Sequence, residues 1–370
     1  MSAPRLLPTA RLDALIAALR GRGYTVIGPT ERDGGVVFAE VAAAADLPRG
    51  RRDAQAPGRY RLAAGAAAGE AFGVVNGAGS LKPFFFAAEE PLLALHRRGR
   101  GFAVEPLAPA APKLAVLGAR ACDLAALAMQ DRIFLRGPHP DAHYAARRAD
   151  VLLIAVHCTR AADTCFCVSM RTGPRAERGF DLALTELPDA FVVETGSAAG
   201  ESLVAELGLA SADAARRDDA QQRVADCAGH MGRRLATRDL PALLAARQGD
   251  AQWADVAQRC LSCTSCTMVC PTCFCHAVVD RTALDGATTE RSRCWDSCFS
   301  HAHAHIAGKN FRPTVRERYR MWLTHKLGTW VEQFGDSGCV GCGRCITWCP
   351  TGIDLTAEVA ALRGEPEAGP

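Results

Sequence analysis

Lysine is almost missing from this chain: of its 43 lysine and arginine residues only four are lysine, Lys82, Lys113, Lys309 and Lys326. That balance, in an alanine-rich chain of net charge +3, reads as a compositional bias rather than a phosphate-binding surface. Aromatic residues make up 6%, too few for a platform on which bases stack. No nucleic-acid partner is expected. Long apolar runs are also missing. Val151–Val156 is far shorter than the roughly 20 residues that span a bilayer, and behind Arg5 and Arg11 the stretch Ala14 to Leu19 makes no convincing signal-peptide core. The expectation is a cytoplasmic protein with no membrane partner. Catalytic signatures are absent too. Gly77-Ala-Gly79 is too little for a dinucleotide loop, and no Ser/His/Asp or Cys/His arrangement stands out. No autonomous active site is expected.

Cysteine is the opposite case, with 17 residues, an odd number in a chain of 370. A secreted disulfide framework would be shorter and even-numbered. Two copies of one spacing organise them: Cys260, Cys263, Cys266 and Cys270 before Pro271, then Cys339, Cys342, Cys345 and Cys349 before Pro350. Each reads C-x2-C-x2-C-x3-C-P, the bacterial ferredoxin run, in which three thiolates hold one 4Fe–4S cube and the fourth ligates the other. The spacing implies two cubes, one on Cys260, Cys263, Cys266 and Cys349, the second on Cys339, Cys342, Cys345 and Cys270. Gly341 and Gly343 are expected to let backbone approach inorganic sulfide. Four thiolates also bind zinc, so a zinc-stabilised interaction module is the reading from a different class. A zinc site does not need this spacing with its proline, twice over.

The fold class expected is α+β: a mixed α/β domain over residues 1–200, a helical bridge over 201–254, and a helical dicluster ferredoxin-like domain over 255–370 with 68 residues inserted between its motifs. A helix at Leu12–Arg20 has Leu12, Leu15, Ile16 and Leu19 on one face. Strands are expected at Tyr24–Ile27, Val36–Val41, Leu114–Leu117, Val151–Val156 and Phe191–Glu194, and a helix at Asp123–Gln130. Within the insertion, Val315–Phe334 reads as a long amphipathic helix with a core-facing stripe of Tyr319, Trp322, Leu323, Trp330 and Val331. His301, His303 and His305 read as a solvated face, and the lone Cys227 as a small buried hydrophobe.

A second cysteine pattern is the tetrapeptide Thr-Cys-Phe-Cys, at Thr164–Cys167 and Thr272–Cys275. In extended backbone residues i and i+2 face one way, about 6.6 Å apart, so both thiols can point at one ligand. Cys122 and Cys158 precede the first copy, and the four thiols Cys122, Cys158, Cys165 and Cys167 are candidates for a third 4Fe–4S cluster. Cys294 and Cys298 come after the second copy, so Cys273, Cys275, Cys294 and Cys298 form a possible fourth site. Redox dithiols, zinc ligands, or thiols buried beside a cluster are the other readings of such pairs.

Taken together these segments resemble the β subunit of soluble nickel–iron hydrogenases of the sulfhydrogenase type, and are similar to the iron–sulfur A subunit of anaerobic sulfite reductase. The resemblance is carried by Gly-Tyr-Thr-Val-Ile-Gly-Pro-Thr at 23–30, Ser80-Leu-Lys-Pro-Phe, Gly118-Ala-Arg-Ala-Cys-Asp, Thr164-Cys-Phe-Cys-Val-Ser-Met, Gly179-Phe-Asp-Leu-Ala-Leu-Thr-Glu, Cys270-Pro-Thr-Cys-Phe-Cys, Trp295-Asp-Ser-Cys and Gly338 through Asp354. Three positions depart from the pattern. Ala121 stands where proline is expected, Arg171 stands where glycine is expected, and Cys294 occurs where no cysteine is required. The closing segment and Val-Ile-Gly-Pro lean to the hydrogenase branch. The resemblance implies an electron-transfer subunit between a flavin subunit that handles NAD(P)H and nickel–iron small and large subunits. On the other branch the acceptor would be a sirohaem protein. The chain lacks the paired C-x2-C motifs of a nickel–iron large subunit.

Overall fold

The computed structural model describes residues 3–67 and 69–365. Its larger sheet has the most apolar segments at its centre. Leu114–Ala119, Leu152–Val156 and Leu182–Glu186 are buried along their whole length. They run parallel to one another, and Thr25–Arg32 joins them as a fourth parallel strand beside Leu114–Ala119. Antiparallel strands close both sides: Gly35–Glu40 at one edge, then Ala190–Thr195, Arg5–Pro8 and Ala210–Ser211 in succession at the other.

Successive strand residues face opposite ways, so the sheet feeds two cores. Leu117, Ile154 and Leu184 meet helices Leu12–Gly21 and Ala198–Glu206 on one face. Val116, Leu153 and Ala155 meet helices Ala121–Phe134 and Ala142–Arg148 on the other. Burial of both faces is why the parallel strands read as continuous apolar runs. Cys122 and Cys158 lie just beyond the carboxyl ends of two of these strands, the side of an open α/β sheet where ligands gather.

The second sheet crosses the expected domain boundaries. Its strands, in order, are His276–Thr282, Thr288–Trp295, Glu89–Arg98 and Gly101–Pro106, all antiparallel. A hairpin from the insertion between the ferredoxin motifs therefore completes a sheet begun near residue 90. Pro91 sits at its bulge: Ser292 pairs with Pro91 and Arg291 with Leu93, leaving Leu92 as the extra residue. A residue without an N–H is tolerated in a sheet at such a place.

The 201–254 segment is mostly helical, yet it divides between two cores. Ala212 and Ala220 pack on the large sheet with Leu187 and Val192. Leu240, Leu244 and Trp253 join the C-terminal core with Tyr319, Trp322 and Leu323. The stripe read from Val315–Phe334 is core as expected, with Val331 half-buried at its margin. The helix is broken by one wide π-turn at His325–Thr329, and Lys326 is buried in it.

Candidate metal centres

The first ferredoxin motif starts at the carboxyl cap of helix Gln252–Arg259, which is Cys260. Ser262 and Thr264 then take left-handed backbone, φ 53° and 68°, uncommon for residues with a Cβ. The curled loop turns the Ser262 amide toward the Cys260 sulfur, 3.4 Å away. Cys260, Cys263, Cys266 and Cys349 line one cavity of about 30 Å³, walled by Phe299, Tyr319, Trp322 and Ile353, with Cys345 on its lining as well. Cys263 is exposed at its rim.

Cys270, Cys339, Cys342 and Cys345 line a second cavity with Phe166, Val340, Gly343 and Lys326. The fourth thiol of each motif thus lies with the first three of the other, and Cys345 touches both cavities. The Gly341 amide donates to the Cys339 sulfur at 3.4 Å. Lys326 is buried, with Nζ 3.4 Å from the Cys270 sulfur, 3.0 Å from Thr272 Oγ1 and 3.1 Å from the Gly338 carbonyl. Burial disfavours that ammonium, but the charge of the Cys270 thiolate beside it outweighs burial and holds its pKa well above the usual value. Burial likewise pushes the Cys339 thiol up to about 12 and raises those of Cys266 and Cys345. A ligated cation is what would make such thiols ionise.

The donor sets fit clusters better than single ions. All 17 cysteines are free thiols. The ferredoxin thiols divide four and four, Cys260, Cys263, Cys266 and Cys349 on one cavity and Cys270, Cys339, Cys342 and Cys345 on the other, with Cys345 on both. A tetrahedral zinc at about 2.3 Å from each sulfur needs tighter convergence, whereas a cube spreads its thiolates over four corners.

Gly341 and Gly343 do something the sequence did not announce. Both have left-handed backbone, φ 63° and 74°. A Cβ on Gly341 would stand 2.6 Å from the Phe166 carbonyl oxygen, and one on Gly343 would stand 2.4 Å from that of Thr164. They admit the first Thr-Cys-Phe-Cys loop, whose Phe166 amide donates to the Gly341 carbonyl at 2.8 Å. The contact they serve is protein on protein. Around it Thr164 Oγ1 and Gln55 Oε1 both meet Thr347 Oγ1 at 2.8 Å, and Arg344 donates to Asp123 at 2.8 Å with both side chains almost fully buried.

A family profile, the 4Fe–4S dicluster domain, matches residues 259–353. Over 254 residues, 68% of this chain and 74% of the relative, the sequence is 34% identical to sulfhydrogenase 2 subunit beta of Pyrococcus furiosus. This chain belongs to the sulfhydrogenase beta-subunit family. No solved structure matches it. Like others of that family it is an iron–sulfur, electron-transfer protein, and the eight ferredoxin thiols all lie within the stretch that the dicluster profile covers.

The other thiols of this sulfhydrogenase-type chain are placed less simply. Cys158, Cys165 and Cys167 lie near one another, each raised by burial, Cys165 to about 12. Cys122, inside the first turn of helix Ala121–Phe134 rather than ahead of it, packs with Val340 and Cys342, and burial and then Asp123, with Cys342 and Cys167 behind them, raise its pKa. Of the second candidate group, Cys273 pairs with Cys270, and its hydrogen bond holds Cys270 well below the usual thiol value. Cys275 pairs with Cys298, whose hydrogen bond lowers it. Cys294 points elsewhere on the hairpin, 3.8 Å from an Arg281 nitrogen. Those four do not converge. His303, read from sequence as solvated, is half-buried and bonded through Nδ1 to Asp296 at 2.8 Å.

Two residues went unnoticed in the sequence as site residues, and both are lysines. Lys82 is buried, with Nζ 3.2 Å from the Thr267 carbonyl and 3.9 Å from the centre of the Trp295 ring. Burial lowers its pKa, against the charges of Cys273 and Cys270. Half of the four lysines are therefore buried beside cysteines, and their rarity was the available signal. The departures from the family pattern also have a structural sense. Ala121 is the first residue of its helix, where proline is favoured, and Arg171 has φ 57°, a conformation glycine adopts freely.

Proposed function

We propose that this chain is the iron–sulfur electron-transfer subunit of a cytoplasmic nickel–iron hydrogenase, relaying electrons between a flavin subunit that handles NAD(P)H and the nickel–iron small and large subunits. The observation that carries the reading is the pair of thiol-lined cavities sharing Cys345. Bound there by Cys260, Cys263, Cys266 and Cys349, and by Cys270, Cys339, Cys342 and Cys345, two 4Fe–4S clusters would each supply one-electron redox chemistry. The chain's own part is placement and shielding. Phe299, Tyr319, Trp322 and Ile353 keep water from the first site, while Cys263 and Leu261, which is 66% exposed, leave one edge open to a partner. At the second site Lys326 and the Gly341 amide set positive charge against sulfur, which favours the reduced state. The Pyrococcus furiosus relative is a sulfhydrogenase subunit. Among the described residues no helix is long and apolar enough to cross a membrane.

Anaerobic co-purification tests the assignment. A nickel-bearing partner together with a flavoprotein is the expected result. A sirohaem partner would transfer the chain to the sulfite reductase branch, and stoichiometric zinc without iron would leave only an interaction module. The isolated chain is expected to oxidise neither hydrogen nor NAD(P)H.

A further inference from the structure

The thiol with no role in the sequence, Cys227, lies beside the first Thr-Cys-Phe-Cys loop. It is on the last turn of helix Ala214–Gly229 and is buried. Residues just past the end of that helix are fastened to the loop. The Met231 sulfur is 3.8 Å from that of Cys167. Gly232 lies so close to Asp163 that a Cβ would stand 2.2 Å from its Cα. The Arg233 amide donates to the Cys165 carbonyl at 2.9 Å. Cys158, beyond strand Leu152–Val156, is held by its amide on the Pro174 carbonyl. A Cβ on Gly173, the neighbour of Pro174, would stand 3.1 Å from the Cys167 sulfur, which sets Cys158 beside the same loop, and the charges of Cys158 and Cys165 in turn act on Cys227.

Charge points the same way. Arg120 and Arg160 both act on Cys158 and on Cys227. Arg120 is buried and tied to the Phe72 and Val74 carbonyls, and Arg160 pairs with Asp53. Asp53 already answers Arg160, which leaves the buried Arg120, bonded to two neutral carbonyls, as the cation that the net negative charge of four thiolates around iron would offset.

We propose that Cys158, Cys165, Cys167 and Cys227 hold a third four-iron cluster, Cys227 taking the place that the sequence gives to Cys122. This rests on the electron-transfer reading and extends it. Each ligand thiol gives up its proton to solvent as it binds iron. The Thr164–Cys167 loop packs on Gly341 and Gly343, and the Cys165 sulfur is 3.9 Å from the Cys342 carbonyl. The site therefore abuts the second ferredoxin cavity and continues the row of centres into the α/β half.

The test is iron and sulfide content of the full chain, reconstituted anaerobically with ferrous iron and sulfide, with spectra of the dithionite-reduced state. About twelve irons are expected in the wild type. Cys227→Ser and, separately, Cys158→Ser should each lose about a third of them, while Cys122→Ser keeps all and every variant retains the signals of the two ferredoxin clusters. Wild type with about eight irons, Cys227→Ser with undiminished iron, or loss confined to Cys122→Ser would each overturn the proposal. A loss of about two irons would overturn the four-iron assignment. A wild type that takes up no iron would instead end the electron-transfer reading itself. Should Cys227→Ser not fold, Cys158→Ser against Cys122→Ser decides.

Discussion

The buried ammonium of Lys326 lies 3.4 Å from the sulfur of Cys270. It reaches that position from the π-turn His325–Thr329, and its other partners, Thr272 Oγ1 and the Gly338 carbonyl, bear no net charge. Its positive charge therefore acts on the second thiol set. Lys326→Met should lower the midpoint potential of one of the two ferredoxin clusters by on the order of 100 mV, since a unit charge several ångströms away in a partly polar interior is worth a few kcal/mol. A redox titration followed by electron paramagnetic resonance reads this. Two unchanged potentials would show that Lys326 is only structural.

Glu90 joins the insertion hairpin to the α/β half. Its buried carboxylate accepts from Arg293 at 2.5 Å and His143 at 2.8 Å, and also pairs with Arg147. Burial alone would raise its pKa, but the hydrogen bonds from Arg147, Arg293 and His143 outweigh burial and hold it below the ordinary value. A folded pKa below the unfolded one gives stability that is complete above the unfolded value of about 4.3 and is lost as pH falls through the folded value. Glu90→Gln leaves Arg293 buried without its full counter-charge and should cost about 3 kcal/mol at pH 7. The deficit should shrink as the pH drops below about 4, where the unfolded chain's carboxylate takes up a proton, and should be gone once the pH is below the lowered folded value. Denaturant titrations at the two pH values measure it.

Arg171 carries an exposed side chain on left-handed backbone, φ 57°. Its amide bonds to the Val168 carbonyl at 3.1 Å, which fixes that turn beneath the Cys165–Cys167 loop. Arg171→Gly should stabilise the folded chain by about 1 kcal/mol, the left-handed penalty less the extra freedom glycine has when unfolded. A thermal shift of the opposite sign would count against this.

What could be read from sequence was what lies close along the chain. The ferredoxin spacing is local, as are the leucine stripe of helix Leu12–Gly21 and the apolar runs of the parallel strands. The pairing of Thr288–Trp295 with Glu89–Arg98 joins segments nearly 200 residues apart, and no periodicity in either one names the other. Leu182–Glu186 is buried on both faces and so lacks the alternation that marks a strand. Cys227 shows the same limit. On its own helix it is one more buried small residue, and only the docking of Met231 and Arg233 on the Asp163–Cys167 loop gives it neighbours.

That loop depends on Gly343. Its φ of 74° already disfavours any side chain, and a Cβ would stand 2.4 Å from the Thr164 carbonyl oxygen and 2.6 Å from Thr164 Oγ1. Neither half can yield easily. Thr164 is buried and bonded to Thr347, and the helix Arg344–Thr347 is pinned by the Arg344–Asp123 ion pair and the stacking of Tyr60 on Trp348, ring centres 5.1 Å apart. Gly343→Ala should therefore cost about 3 kcal/mol, left-handed strain and overpacking together. Gly286, at φ 67° with nothing near its would-be Cβ, carries the first penalty alone, so Gly286→Ala should cost only about 1 kcal/mol. Comparing the two by chemical denaturation isolates the contact between halves. If they lose equal stability, the fit of the Thr-Cys-Phe-Cys loop against the ferredoxin motif contributes nothing.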